Sequence, residues 1–342
     1  MRLTITTCIL LLILSTVNIS AKIVFETTDG IYIMDDDGSN VTRLTEAVSP
    51  GPPCWSPDGT QIVFTKRDNP RNLERRHIYL MNADGTKIRQ LTTLNDSLRD
   101  SYPSFSPDGK SFVFARLEII ENRYISYICV MDIESGHIKL KKTIETGVND
   151  PEFTPDGRHI VFSGSPSLGQ SGANIWIMDA DGRSRRELLP PLKEGNPLLI
   201  NRFDAKFSPD GTQMLYFQSE TTFERIDGVG HIIPQAYRYI IYNLITGQSK
   251  ELSIPKNYKP SGVDWMDGSN AIVFSAWQIK LDEVVTSERN YDIFKYDILR
   301  SELTQLTDDV NRNDYQLDWI SDDVLSVTPL DKKKVRWGTL KQ

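Results

Sequence analysis

Cysteine is scarce: three in 342 residues, and one of these, Cys8, lies inside the N-terminal apolar run. That leaves Cys54 and Cys129, which fall at non-equivalent places in a repeat described below. Two buried free thiols are expected, with neither a disulfide framework nor redox chemistry. Histidine is as rare, with only His77, His137, His159 and His231. None stands at metal-ligand spacing from a cysteine or another histidine, so no metal or other cofactor is expected. The Asp-rich stretches such as MDDDGSN lack the ligand positions and distal glutamate of a calcium loop and read as hairpin turns. No Gly-x-Ser-x-Gly nucleophile elbow occurs, and enzymatic activity is not expected. Basic residues do not predominate: the net charge is −7, which excludes a generic nucleic-acid binder. After residue 17 there is no second long apolar run and therefore no membrane span. Nor is there any stretch of 3.6-residue periodicity long enough to cover a sheet with helices.

What is present begins with an export signal. Arg2 precedes an apolar run from Leu3 to Val17, followed by NISA. This pattern predicts a signal peptide over 1–21, cleaved after Ala21, and a periplasmic or secreted protein over 22–342. Retention as an anchor is the alternative.

The mature sequence repeats itself. WSPDG at Trp55 returns as FSPDG at Phe105, FTPDG at Phe153 and FSPDG at Phe207, with weakened versions at Trp265 and Trp319. Each aromatic-turn unit leads into an alternating apolar run such as QIVF, HIVF or AIVF. After a variable connection comes a second run such as HIYLMNADG or NIWIMDADG, and then a polar segment ending in a form of QLT. Period-two alternation with Val, Ile and Phe signals strands, and Asp-Gly turns signal hairpins. Four strands per repeat of roughly fifty residues is propeller arithmetic. Residues 22–45 match the last three strands of a repeat, and 314–328 supply the missing first strand. The expectation is therefore an all-β, six-bladed propeller of four-stranded antiparallel blades, closed by pairing of the N- and C-terminal strands. Seven blades is the alternative, if VRWGTL at 335–340 starts its own sheet.

The succession aromatic-Ser-Pro-Asp-Gly, Ile-Val-Phe, Ile-Tyr-x-Met-x-Ala-Asp-Gly and Leu-Thr resembles the TolB-type propeller repeat, a cousin of the WD repeat. The resemblance covers residues 22 to about 330 and the propeller part only. It implies the fold, and leaves function to be argued from sites.

Two sets of residues are candidates for binding. Asp100, Asp150, Asp204 and Asp314 stand three or five residues before their anchors and would rim the channel. They form either an anionic ring for a cation or basic peptide, or caps of their own turns. The second set follows from strand order. The Ser-Pro-Asp-Gly and Ala-Asp-Gly turns share one face, and the long connections 65–76, 115–124, 163–173, 190–203, 218–238 and 275–290 share the other. The longest, 218–238, offers Phe223, Arg225, His231 and Tyr237. The expected function is a monomeric scaffold or recognition module for a protein or peptide partner. A carbohydrate lyase or hydrolase, or a small-ligand sensor at the channel mouth, is the alternative.

Overall fold

The computed structural model describes residues 21–46, 51–67, 76–93, 98–121, 123–144, 147–164, 172–190, 198–284 and 289–326. The expected signal segment 1–20 and the VRWGTL stretch lie outside them, so the seventh-blade alternative does too.

The chain runs as a succession of antiparallel meanders. First come β1 (Lys22–Glu26), β2 (Gly30–Asp35) and β3 (Thr42–Glu46). Next are β4 (Gly51–Trp55), β5 (Gln61–Arg67), β6 (Arg76–Asn82) and β7 (Arg89–Gln90). The third meander is β8 (Leu98–Phe105), β9 (Ser111–Ile120), β10 (Arg123–Asp132) and β11 (Ile138–Ile144). The fourth is β12 (Val148–Phe153), β13 (His159–Gly164), β14 (Asn174–Asp179) and β15 (Arg186–Glu187). The fifth is β16 (Leu199–Phe207), β17 (Gln213–Ile226), β18 (Val229–Asn243) and β19 (Ser249–Glu251). The sixth is β20 (Tyr258–Met266), β21 (Ala271–Gln278), β22 (Asp292–Asp297) and β23 (Glu302–Gln305). A last strand, β24 (Leu317–Ile320), returns to pair antiparallel with β1, setting Lys22 opposite Ile320 and Ile23 opposite Trp319.

Among the described residues the count of separate four-stranded sheets is four, not six or seven. The second and third meanders are joined into one eight-stranded sheet, because Arg76 of β6 and Arg99 of β8 form a parallel bridge. A single bridge is enough to merge two ladders that otherwise keep the four-strand order.

The repeated turn is built by its own side chains. Ser56 Oγ donates to Asp58 Oδ1 at 2.6 Å and accepts from the Gln61 N–H at 2.9 Å. Gly59 closes the turn onto the Ser56 carbonyl with φ of +70°, a region open to glycine. The same bonds recur at Ser106, Thr154 and Ser208. Apolar side chains of neighbouring sheets meet face to face. Val24 and Ile31 pack with Trp55, Ile62 and Phe64. Leu215 and Tyr239 pack with Val263, Trp265 and Phe274. Ile23, Phe25 and Met34 of the first meander meet Met266, Val273 and Ile293 of the last.

Two of the expected long connections are not loops. Residues 115–124 and 218–238 continue the flanking strands as hairpins, β9–β10 and β17–β18. In the second, Asp227 (φ +50°) and Gly228 (φ +82°) form the two-residue turn whose twist matches that of the strands. Cys54 and Cys129 are free thiols. Burial holds the Cys54 thiol well above its usual value and pushes Cys129 up to about 12.

Candidate binding sites at the channel and on the hairpin

Of the strands carrying the anchors, β4, β8, β12, β16 and β20 share one irregularity, which β24 lacks. The antiparallel register slips just before the anchor, between Ser101 and Ser104, Asn149 and Glu152, and Phe203 and Lys206. The residues three before the anchor there, Tyr102, Asp150 and Asp204, all have φ of 50–55°. Aspartate tolerates this left-handed conformation better than most side chains. The residue just before the anchor reaches the neighbouring repeat at Asp264, Asp318 and in the Lys206–Glu152 pair.

That position holds Cys54, Ser104, Glu152, Lys206, Asp264 and Asp318. Its side chains tie neighbouring sheets together. Asp318 accepts the Trp55 N–H at 2.7 Å, and Asp264 accepts the Trp319 N–H at 2.8 Å as well as its neighbour's, that of Trp265, at 2.7 Å. Lys206 Nζ meets Glu152 Oε2 at 2.6 Å. Burial, with Asp318 beside it, pushes Asp264 up to about 8, and the two carboxyl groups are hydrogen-bonded to each other. A cavity lined by residues of β4, β8, β12 and β16 with Gln316 and Leu317 has about 30 Å3, roughly the room of one water. Polar side chains of several repeats thus converge there.

The four candidate aspartates divide. Asp150 and Asp204 come together beside Lys206; burial raises both, Asp150 to about 6, and Asp204 also accepts the Val263 N–H at 3.0 Å. Asp100 and Asp314 lie apart from them, fully buried, each gripped by an arginine. Arg116 contacts Asp100 at 2.7 and 2.8 Å, and Arg312 contacts Asp314 at 2.6 and 3.1 Å. The four do not converge on one ring.

The residues of the long insert divide as well. Phe223 is 64% exposed, Arg225 is exposed and His231 is half-buried, all on the β17–β18 hairpin. Tyr237 is only 7% exposed: it sits at the hairpin's base, where its N–H donates to the Lys256 carbonyl at 2.8 Å. It is a packing residue rather than a contact for a partner. Sequence reasoning also passed over Ile226, Val229 and Ile232, all exposed near the hairpin tip. Phe223 lies opposite Ile232 and its ring reaches over Gly230, where a Cβ would come within 2.5 Å of it. Among the described residues β16 accompanies β17 only as far as Thr221, and beyond it the hairpin is a two-stranded ribbon.

No group of three or more His, Cys, Asp or Glu side chains placed to hold a metal occurs among the described residues. No described helix is long and apolar enough to cross a membrane.

Sheets of this order define an all-β propeller. No protein-family model matches the chain, and no curated protein does. Solved structures do match, and the fold is TolB-like. TolB from Acinetobacter baumannii is 18% identical with a TM-score of 0.63, over 87% of this chain and 66% of that one. Hydrazine synthase from Kuenenia stuttgartiensis is 15% identical with a TM-score of 0.65, over 89% and 47%. A chain of a nidogen/laminin complex is 11% identical with a TM-score of 0.60, over 88% and 98%. This chain therefore spans less than two thirds of the TolB chain and about half of the synthase chain.

The expectation that the chain is not an enzyme is overturned. Structures sharing its fold include a Vibrio parahaemolyticus oligogalacturonate lyase (TM-score 0.51, 14% identity) and a Pseudomonas aeruginosa periplasmic gluconolactonase (TM-score 0.53, 12% identity). The fold is compatible with catalysis as well as with binding.

Proposed function

We propose that the protein is an exported, monomeric TolB-type propeller whose loop-bearing face binds a protein or peptide partner. In this reading the six meanders are six blades, β24 completes the first of them, and residues 1–21 direct export to the periplasm or the medium. The β17–β18 ribbon is the grip.

The exposed apolar ribbon carries the reading. Phe223, Ile226, Val229 and Ile232 stand in solvent on a hairpin whose outer part has no third strand among the described residues. A ribbon with free edges and apolar side chains accepts an added strand: backbone bonds supply affinity and alternate side chains supply choice. Phe223 and Arg225 are of the residue types that dominate interface energetics. The presence of this fold in a nidogen/laminin complex is in keeping with protein recognition.

A photo-crosslinking residue placed at Phe223 in the producing cell tests the reading, with one at Arg183, on the opposite face, as control. Discrete protein adducts from position 223 and none from 183 are expected. Adducts from 183 alone, or from neither, would overturn it. The intact mass of the exported protein tests removal of residues 1–21.

A further inference from the structure

One position of the repeat is marked by a backbone bond. The residue donates its N–H to the carbonyl just before the preceding strand of its own meander. Ala83 bonds Thr60 in this way, Ile133 Lys110, Ala180 Arg158, Leu244 Thr212 and Ile298 Asn270. The side chain there joins the packing between neighbouring meanders. Ile133 shares a cluster with Phe105, Leu244 with Phe207 and Ile298 with Trp265, so at these places the repeat fills its own groove. Alanine at 83 and 180 fills less. Beside Ala83 the room is taken by Val324 and Leu325 of the short helix α1 (Asp322–Ser326), which pack with Trp55. A Cβ on Gly59 would come within 2.8 Å of Leu325 Cδ2. Beside Ala180 the described residues leave a groove of about 650 Å3, within the range of small-molecule sites. A Cβ on Gly157, the equivalent of Gly59, would meet nothing nearer than Pro107, at 3.7 Å, among the described residues.

Val130, Leu140, Phe153 and Ala180 give this groove an apolar side, and Asp108, Asp156 and Asp181 add three carboxylates. The one lysine lining it, Lys139, is held by Asp132 at 2.7 Å. Arg158 and Arg183 stand 4.0 and 3.4 Å from Asp156 and Asp181, with largely exposed side chains. Contacts so exposed are weak, and a ligand's cation can displace them.

We infer that the groove binds a small organic cation with a branched apolar body. The body takes the place that Val324 and Leu325 take in the equivalent groove, and the cation meets the carboxylates. The groove lies among the tight turns, on the face opposite the β17–β18 hairpin, and its occupancy is independent of the partner proposed there.

Calorimetric titration of the full mature chain at pH 7 with L-valyl-L-leucinamide, its N-acetylated form and ethylamine tests the inference. The first joins the two side chains of the filled groove to an amine; the second lacks the charge and the third lacks the body. Valyl-leucinamide should bind saturably and one-to-one, the acetylated form about fivefold more weakly, the worth of a good surface ion pair, and ethylamine not at all. Ala180→Leu repeats the residue found at 244, so it should abolish binding without lowering the melting temperature. Asp181→Asn keeps the turn's acceptor but removes a charge. It should narrow the gap between the two peptide forms, while Asp84→Asn, the same change in the second repeat, leaves that gap as it is. Should Ala180→Leu fail to fold, Asp181→Asn decides. No saturable binding of valyl-leucinamide, a folded Ala180→Leu variant that binds as tightly as the parent, or an unchanged gap in Asp181→Asn would overturn the inference.

Discussion

Replacing Arg116 by Met should make the protein's stability depend steeply on pH. Arg116 is 7% exposed, and Asp100, which it grips through two hydrogen bonds, is not exposed at all. Removing one partner of a buried pair costs about 3–5 kcal/mol, because the other charge is left uncompensated. Asp100 can escape that cost by taking up a proton. The cost of keeping it neutral is about 1.4 kcal/mol for each pH unit above its ordinary value of 3.8. Protonation therefore costs about 1.6 kcal/mol at pH 5 and about 5.7 kcal/mol at pH 8. At pH 5 the cheaper route is protonation, so the loss is about 2 kcal/mol; at pH 8 it approaches the full cost of the stranded charge, about 4–5 kcal/mol. The sign is that of a folded-state pKa raised above the unfolded one: stability is present at low pH and lost as pH rises. Urea unfolding of the parent, Arg116→Met and the Asp100→Asn/Arg116→Met double variant at both pH values measures this. The double variant should recover most of the loss at pH 8. A single-variant penalty equal at pH 5 and pH 8, or a double variant no better than the single one, refutes the reasoning.

Other outcomes follow from the same structure. Tyr237→Ala should destabilise by about 3 kcal/mol because it empties a buried site, whereas Phe223→Ala should stay within about 0.5 kcal/mol; thermal unfolding compares them. Truncation at Asn311 removes β24, leaves the Trp55 N–H without the Asp318 carboxylate and bares the edge of β1, so the melting temperature should fall by several degrees. Asp264 and Asp150, raised by burial to about 8 and about 6, favour the folded state below pH 4 and lose that contribution as pH rises through those values. The urea midpoint should therefore drop between pH 5 and pH 9, and the drop should be shallower in Asp264→Asn.

The strands and turns were legible because each repeat spells its own chemistry. Ser, Asp and Gly of the SPDG unit make the hydrogen bonds their types suggest, and the apolar alternation of QIVF and HIVF matches buried strand residues. The β17–β18 hairpin was equally written in the sequence. Asp227-Gly228 between TTFERI and VGHII is a strong short-range hairpin signal, but the charged and apolar residues around it read as an irregular insert. The ring of residues before the anchors was hidden for another reason. Cys, Ser, Glu, Lys, Asp and Asp share no chemistry, and only their common place in the repeat reveals that they meet. The choice of aspartates three and five residues before the anchor could not be resolved without the bulge. It brings Asp150 and Asp204 together but leaves Asp100 and Asp314 with their own arginines, and no local pattern announces Arg116 or Arg312 as partners.

The pairing of β24 with β1 also sets an order of events. Lys22 and Ile320 are nearly the whole described chain apart, yet they are neighbours in one sheet. During synthesis β1 must wait, one edge unpaired, until Leu317–Ile320 has been made. Contacts so distant in sequence make folding slow, although the entropy of closing a longer loop grows only gently with its length. The strand Leu317–Ile320 therefore acts as a completion check: a chain cut short anywhere before Leu317 keeps an open strand edge, and open edges are what chaperones, proteases and aggregation act upon.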